Sequence, residues 1–141
     1  MHLSLRVRRL VSRLLIAPLL VGPIACGNPA APTLTTDTFN GTLSPPVNGQ
    51  YSSASFQFKM KSGAVTVSVT SITPLSTITV GIALGIVQGQ TCSGFEVNSA
   101  ARAGFVAIAD TLPSGTYCVA IYDVGNITQD VTFGLAVEYP K

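Results

Sequence analysis

The sequence predicts an all-β domain, a small antiparallel β-sandwich of about seven to eight strands that follows an N-terminal export segment. Three observations predict it. Apolar residues alternate with polar ones at period two from Thr38 onward. Pairs of turn-forming residues interrupt that alternation at short, even spacing. No stretch of the same region carries a helical period, since Glu96–Arg102 offers one loose turn at most. Period two with β-branched residues marks half-buried strands, and several such strands between turns mark a sandwich.

The strands can be taken in order. Ser55–Lys61 alternates, with Phe56, Phe58 and Met60 on one face. Val65, Val67 and Val69 share a face of the next run. Ile78, Val80, Ile82, Leu84 and Ile86 put five aliphatics on one face and small residues on the other. Phe105–Ala109 and Tyr117–Asp123 are more uniformly apolar, which suits strands buried on both faces. Val131, Phe133, Leu135, Val137 and Tyr139 give the last strand. Between these runs stand Pro45-Pro46 with Asn48-Gly49, Ser62-Gly63, Gln88-Gly89, Pro113-Ser114-Gly115 and Gly125-Asn126.

The first 25 residues are of a different kind. Met1–Arg13 is cationic, and Leu14–Ala25 is an apolar run that stops at Cys26. This layout is that of a secretory signal. The run falls short of the roughly 20 apolar residues of a spanning helix. An ordinary positive n-region accounts for Arg8-Arg9 better than twin-arginine export does. Arg6, Arg8, Arg9 and Arg13 all lie in this segment, so removing them takes the formal charge from +2 to −2. What remains is Lys59, Lys61, Arg102 and Lys141 against six acids, with no basic patch readable in sequence. Phosphate neutralisation needs clustered cations, so nucleic acid is excluded as a partner.

Pro23-Ile24-Ala25-Cys26 resembles the lipobox of bacterial lipoproteins. The resemblance implies cleavage before Cys26, lipid attachment at Cys26 and a membrane as partner through that N-terminal lipid. Pro23 departs from the usual Leu. The small, Pro-bearing stretch after Cys26 reads as a tether. The expected organisation is a signal peptide over 1–25, a lipid-anchored tether over 26–36 and the sandwich over 37–141. The plain alternative is a soluble secreted protein with an unpaired Cys26. If Cys26 carries lipid, Cys92 and Cys118 remain as a pair, and an exported chain permits a disulfide between them. Two separate buried thiols are the alternative. A bridge would close a long loop containing Glu96–Arg102 and contribute roughly 3–4 kcal/mol on the chain-entropy model.

A second resemblance covers roughly Thr36–Glu138. Phe58–Val69 (FKMKSGAVTVSV) and Leu112–Tyr122 (LPSGTYCVAIY) are similar to two strands of the bacterial pre-peptidase C-terminal domain family. Phe133–Val137 stands where that family's last strand would be. The resemblance implies a jelly-roll-like sandwich with an accessory or binding role in exported proteins. Val80–Leu84 lacks the Asp-x-Tyr feature common in that family, which removes the polar side chains of that strand.

Chemistry is sparse. The single histidine, His2, lies in the signal, so the remainder has no imidazole to activate a nucleophile. Lys59 and Lys61 alternate with Phe58 and Met60 and therefore face solvent, which argues against a Ser–Lys arrangement. Asp110 and Asp123 end neighbouring apolar strands, where acids usually form turns. No catalytic residue is expected, and no cofactor. Asp123, Asn126 and Asp130 are the weak candidates for a metal, and calcium is the ion such oxygen ligands would take. Tyr51, Tyr117, Tyr122 and Tyr139 are the aromatics available to stack on a sugar ring, with Tyr117 and Tyr122 on opposite faces. The expected function is a non-catalytic, cell-envelope lipoprotein whose sandwich binds or supports an envelope protein or polysaccharide. A structural subunit assembled by strand addition is the rival, and a hydrolase a distant third.

Overall fold

The computed structural model describes residues 30–141, and the readings that fall on Cys26 and the export segment lie outside the described residues. Eight strands follow in order: β1 Leu34–Leu43, β2 Ser53–Met60, β3 Gly63–Thr73, β4 Val80–Gln88, β5 Thr91–Ala101, β6 Phe105–Leu112, β7 Gly115–Tyr122 and β8 Val131–Pro140. They form two antiparallel four-stranded sheets, β1-β8-β3-β6 and β2-β7-β4-β5. This order is that of a jelly roll: consecutive strands alternate between the facing sheets, except that β4 and β5 pair within one sheet.

The alternation read in sequence builds the interior. Val65, Val67 and Val69 of β3 and Val131, Phe133, Leu135, Val137 and Tyr139 of β8 turn inward from the first sheet. Phe58 and Met60 of β2, Val80, Ile82 and Leu84 of β4, and Tyr117, Val119 and Ile121 of β7 meet them from the second. Aromatic contacts close the side where the edge strands β1 and β2 adjoin. Phe39 stacks on Phe56 with centroids 4.7 Å apart, and Phe56 meets Phe133 edge-on at 6.2 Å. Each such pair adds about 0.5–1.5 kcal/mol beyond its buried area.

Turn chemistry sets the hairpins. Asn48 and Gly49 both take positive φ, and Val47 and Gln50 exchange two backbone hydrogen bonds around them, as a type I′ turn requires. Tyr117 explains the Pro-Ser-Gly-Thr-Tyr run. Its ring folds back over Gly115, and its hydroxyl donates to the Pro113 carbonyl at 2.9 Å.

Strand β4 has its bulk inside and almost nothing outside. The Tyr122 ring lies over Gly81 on the outer face. At Gly85 the backbone of Ser93 comes so close that a Cβ would sit 2.1 Å from the Ser93 carbonyl oxygen. The start of β5 therefore leans over β4, and Cys92 reaches past it to Cys118 of β7, with Cα atoms 5.7 Å apart.

Four sequence expectations are refined or changed. Strand β1 starts at Leu34, inside the stretch 26–36 read as tether, where Leu34, Thr35 and Thr36 pair with Pro140, Tyr139 and Glu138. Their polar composition reads as a tether, yet backbone pairing needs no apolar side chain. The segment Glu96–Arg102 is not a loop: all but Arg102 belongs to β5, an edge strand with two register shifts against β4. Those shifts break the period that would have revealed it. The disulfide thus links an edge strand to the interior of its own sheet and does not close a loose loop. Phe105–Ala109 is not buried on both faces. It opens the edge strand β6, where Phe105 and Val106 are 67% and 57% exposed. Finally, Asp110 lies within β6 opposite Val65, and β6 and β7 belong to different sheets. An acid on the inward side of an edge strand discourages a further strand from docking there.

The outer face of β4 supplies a test. Gly85→Ala should destabilise the domain by about 1–3 kcal/mol, since the obstruction is backbone. Gly81→Ala should cost less, because the Tyr122 ring can swing aside. Urea denaturation of the two variants reads the difference, and equal losses would refute this account of β4.

Candidate functional site

Among the described residues, two groups of polar and charged side chains stand at opposite ends of the sandwich. The first is the loop after β7. Asp123 is 2% exposed. Its backbone N–H donates to Ser52 at 2.9 Å. Its Oδ1 accepts the backbone N–H groups of Gly125, Asn126 and Ile127 at 2.8, 3.1 and 3.3 Å. Gly125 at φ 95° lets the chain wrap around that oxygen. The Asn126 side chain turns away and donates to Thr79 Oγ1 at 3.0 Å, and Asp130 is exposed. The three candidate metal ligands are thus spent differently. One carboxylate oxygen organises a turn, and the amide ties that turn to the segment before β4. Among the described residues, no group of three His, Cys, Asp or Glu side chains could hold a metal ion. The Asp123 Oδ2 is buried without a hydrogen-bond partner.

The second place is the opposite end. Lys59, Met60, Lys61 and Lys141 line a shallow recess of about 220 Å³. Lys59 and Lys61 are exposed, as their alternation predicts. The Lys61 N–H donates to the Pro140 carbonyl at 2.9 Å and the Lys141 N–H to the Thr33 carbonyl at 3.2 Å. These bonds tie the β2–β3 turn, the end of β8 and the start of β1 into one tier. Gly63, at φ 150°, lets the turn close against the Pro140 ring. Sequence reasoning missed this cluster because Lys141 is distant in the chain from Lys59 and Lys61. Only the pairing of β8 with β1 and β3 brings it there.

Just inside this end, the Tyr139 hydroxyl donates to Asp37 Oδ2. The ring is 2% exposed and packs on Phe58 with centroids 5.0 Å apart. Its pKa is pushed up to about 12 by burial first, then by the hydrogen bond to Asp37 and by that carboxylate's charge. Of the four tyrosines, Tyr51 alone is exposed, while Tyr117 faces inward and Tyr122 outward, on opposite faces. A second recess of about 300 Å³ lies on the outer face of the second sheet, between Ser53, Ser55 and Ala120 on one side and Gln90, Thr91 and Cys92 on the other. Among the described residues no helix is long and apolar enough to cross a membrane. No family model and no curated protein matches the chain.

Two tests follow from this geometry. Asp123→Ala strands three backbone donors, one of them on the buried Ile127, and should cost about 2–3 kcal/mol. Millimolar calcium or a chelator should leave both proteins' melting temperatures unchanged; a calcium-dependent rise lost in the variant would instead show an ion at Asp123. Tyr139 keeps its proton more tightly when folded. Its contribution is therefore fully present below pH 10 and is lost as pH rises through 12, by at most about 2–3 kcal/mol. Denaturation midpoints between pH 9 and 12 should fall faster for the wild type than for Tyr139→Phe, and parallel curves would refute the assignment.

Proposed function

We propose that this chain is an exported cell-envelope lipoprotein, held to a membrane by a lipid on Cys26, whose sandwich is a non-catalytic binding or accessory module like the pre-peptidase C-terminal domains it resembles. The observation that carries this reading is the pairing of Cys92 with Cys118. It uses two of the three cysteines in the sequence and leaves Cys26, directly after the apolar signal, as the odd one. A disulfide also accords with an oxidising compartment outside the cytoplasm. The non-catalytic part rests on chemistry. The only histidine precedes Cys26, and Lys59 and Lys61 are exposed rather than buried beside a hydroxyl nucleophile. A binding role falls most naturally to the exposed aromatics, with an envelope protein or polysaccharide as partner.

One observation favours the rival reading of a subunit that assembles by strand addition. The neighbouring edge strands β5 and β6 expose Phe95, Val97, Phe105 and Val106, and an exposed apolar edge is a template for another strand. One experiment separates the readings. The protein is extracted from membranes in detergent, its N-terminal peptide is weighed, and the remainder is sedimented over a range of concentrations. The lipoprotein reading expects an acylated Cys26 and a monomer throughout. A free Cys26 thiol on a soluble protein refutes the anchor, and concentration-dependent assembly favours the subunit.

A further inference from the structure

The lysine tier and the start of the folded domain occupy the same end of the sandwich. Three of the four cations that follow the export segment are there: Lys59, Lys61 and Lys141. The Thr33 carbonyl accepts a hydrogen bond from Lys141, so the chain joins the domain within that tier. Leu34, the first residue of β1, is 52% exposed beside it. The acids are placed differently. Asp123 and Asp130 flank the β7–β8 connection at the far end, Glu96 lies within β5, and Asp37, Asp110 and Glu138 sit two or three residues in from the tier. The outermost charged side chains of this end are thus lysines, with Asp37, Asp110 and Glu138 set back along the strands, and that end is where the tether attaches.

From this placement we infer that the Lys59, Lys61 and Lys141 end is a membrane-docking surface that sets the sandwich upright on anionic lipid headgroups. The inference rests on the lipid anchor at Cys26 proposed above. Six residues lie between Cys26 and Thr33, so the seven steps from one to the other reach at most about 25 Å when fully extended. An anchored domain is therefore confined close to the bilayer, and the end carrying Thr33 is the part that can approach it most closely. Headgroup attraction fades within a Debye length of about 8–10 Å, so only cations near the attachment point act. A single acyl chain binds membranes marginally, and a basic patch is a recognised second contribution. Each lysine near an anionic surface contributes roughly fivefold to the docked population. Together the three favour the docked over the freely tumbling domain by at most about a hundredfold, a ceiling that repulsion of Asp37, Asp110 and Glu138 from the headgroups lowers. The long axis of the strands then stands away from the membrane, lifting the Asp123 loop about 30 Å above the lysines.

The test uses the acylated full chain in vesicles, with one fluorophore at Ser62→Cys in the β2–β3 turn or at Thr128→Cys in the far loop, and energy acceptors on the headgroups. Mass spectrometry of the same preparation reads the acyl group on Cys26. On vesicles rich in phosphatidylglycerol, transfer from position 62 should exceed that from position 128 severalfold. The gap should shrink on phosphatidylcholine alone, in high salt, and in the Lys59→Gln, Lys61→Gln, Lys141→Gln variant, whose thermal melt should match the wild type. Equal transfer from the two positions on phosphatidylglycerol, or a gap that survives loss of all three lysines, overturns the docking surface while leaving the anchor intact. An unmodified Cys26 overturns the anchor itself, and the docking surface with it.

Discussion

Strand β4 carries the constraint on which the second sheet depends. Its inward side chains, Val80, Ile82 and Leu84, are bulky, and its outward positions Gly81, Ala83 and Gly85 are close to bare. A strand in the middle of a sheet is expected to show water one of its faces or to be covered by another layer. Here the cover comes from the same sheet. Tyr122 fills the space over Gly81, and β5 presses its backbone onto Gly85. That approach brings Cys92 across to Cys118, which is almost fully buried although it points away from the core. Side chains on β4's outer face would push β5 out into the plane of the sheet. The edge would flatten and the bridge would no longer span. The disulfide therefore secures a curled edge, and curling is one way to keep an edge strand from recruiting another chain.

The two edges on that side are guarded unequally. Asp110 lies on the inward side of β6, and the Asn98 side chain of β5 caps the Ala107 carbonyl at 2.8 Å. Both features spoil a ladder that an incoming strand would need. Yet Phe105 and Val106 at the start of β6, and Phe95 and Val97 on β5, remain exposed. The backbone is guarded at these two points while the apolar side chains stay open, so an incoming strand would meet apolar surface beside a broken ladder.

Legibility in the sequence followed how local the cause was. Val65–Val69 and Val131–Tyr139 declare themselves because each residue's face is set by its neighbour two positions away. Asn48-Gly49 declares its turn because only such residues tolerate two successive positive φ values. Leu34–Thr36 hid because their strand is held by backbone pairing to β8. Strand β5 hid because its register shifts twice and its apolar residues face water, so period and hydrophobicity both point the wrong way. Phe105 and Val106 misled for the complementary reason: apolar composition says nothing about whether a strand lies at an edge or in the middle. Of the candidate sites, the disulfide was legible from counting cysteines. Asp123 was legible as a special residue but not as a turn organiser, since its three donors are backbone groups that leave no compositional trace.

The lysine end belongs to a further class, in which the cause is topological. In a jelly roll the last strand returns to lie between the first and third, so the chain's late residues meet its early ones. That return places Pro140 under the Lys61 N–H and Lys141 against Thr33. It also buries Tyr139 at the position where its hydroxyl can reach Asp37. The same closing strand thus completes the core, holds the first strand in place and collects separated cations at one end. Loss of β1 pairing would detach Thr33 from Lys141 and deprive Tyr139 of its acceptor together. The integrity of the fold and the polarity of its charge are consequently coupled through β8. Any force applied through the N-terminal segment would act first on the β1–β8 ladder, where ten consecutive residue pairs share the load.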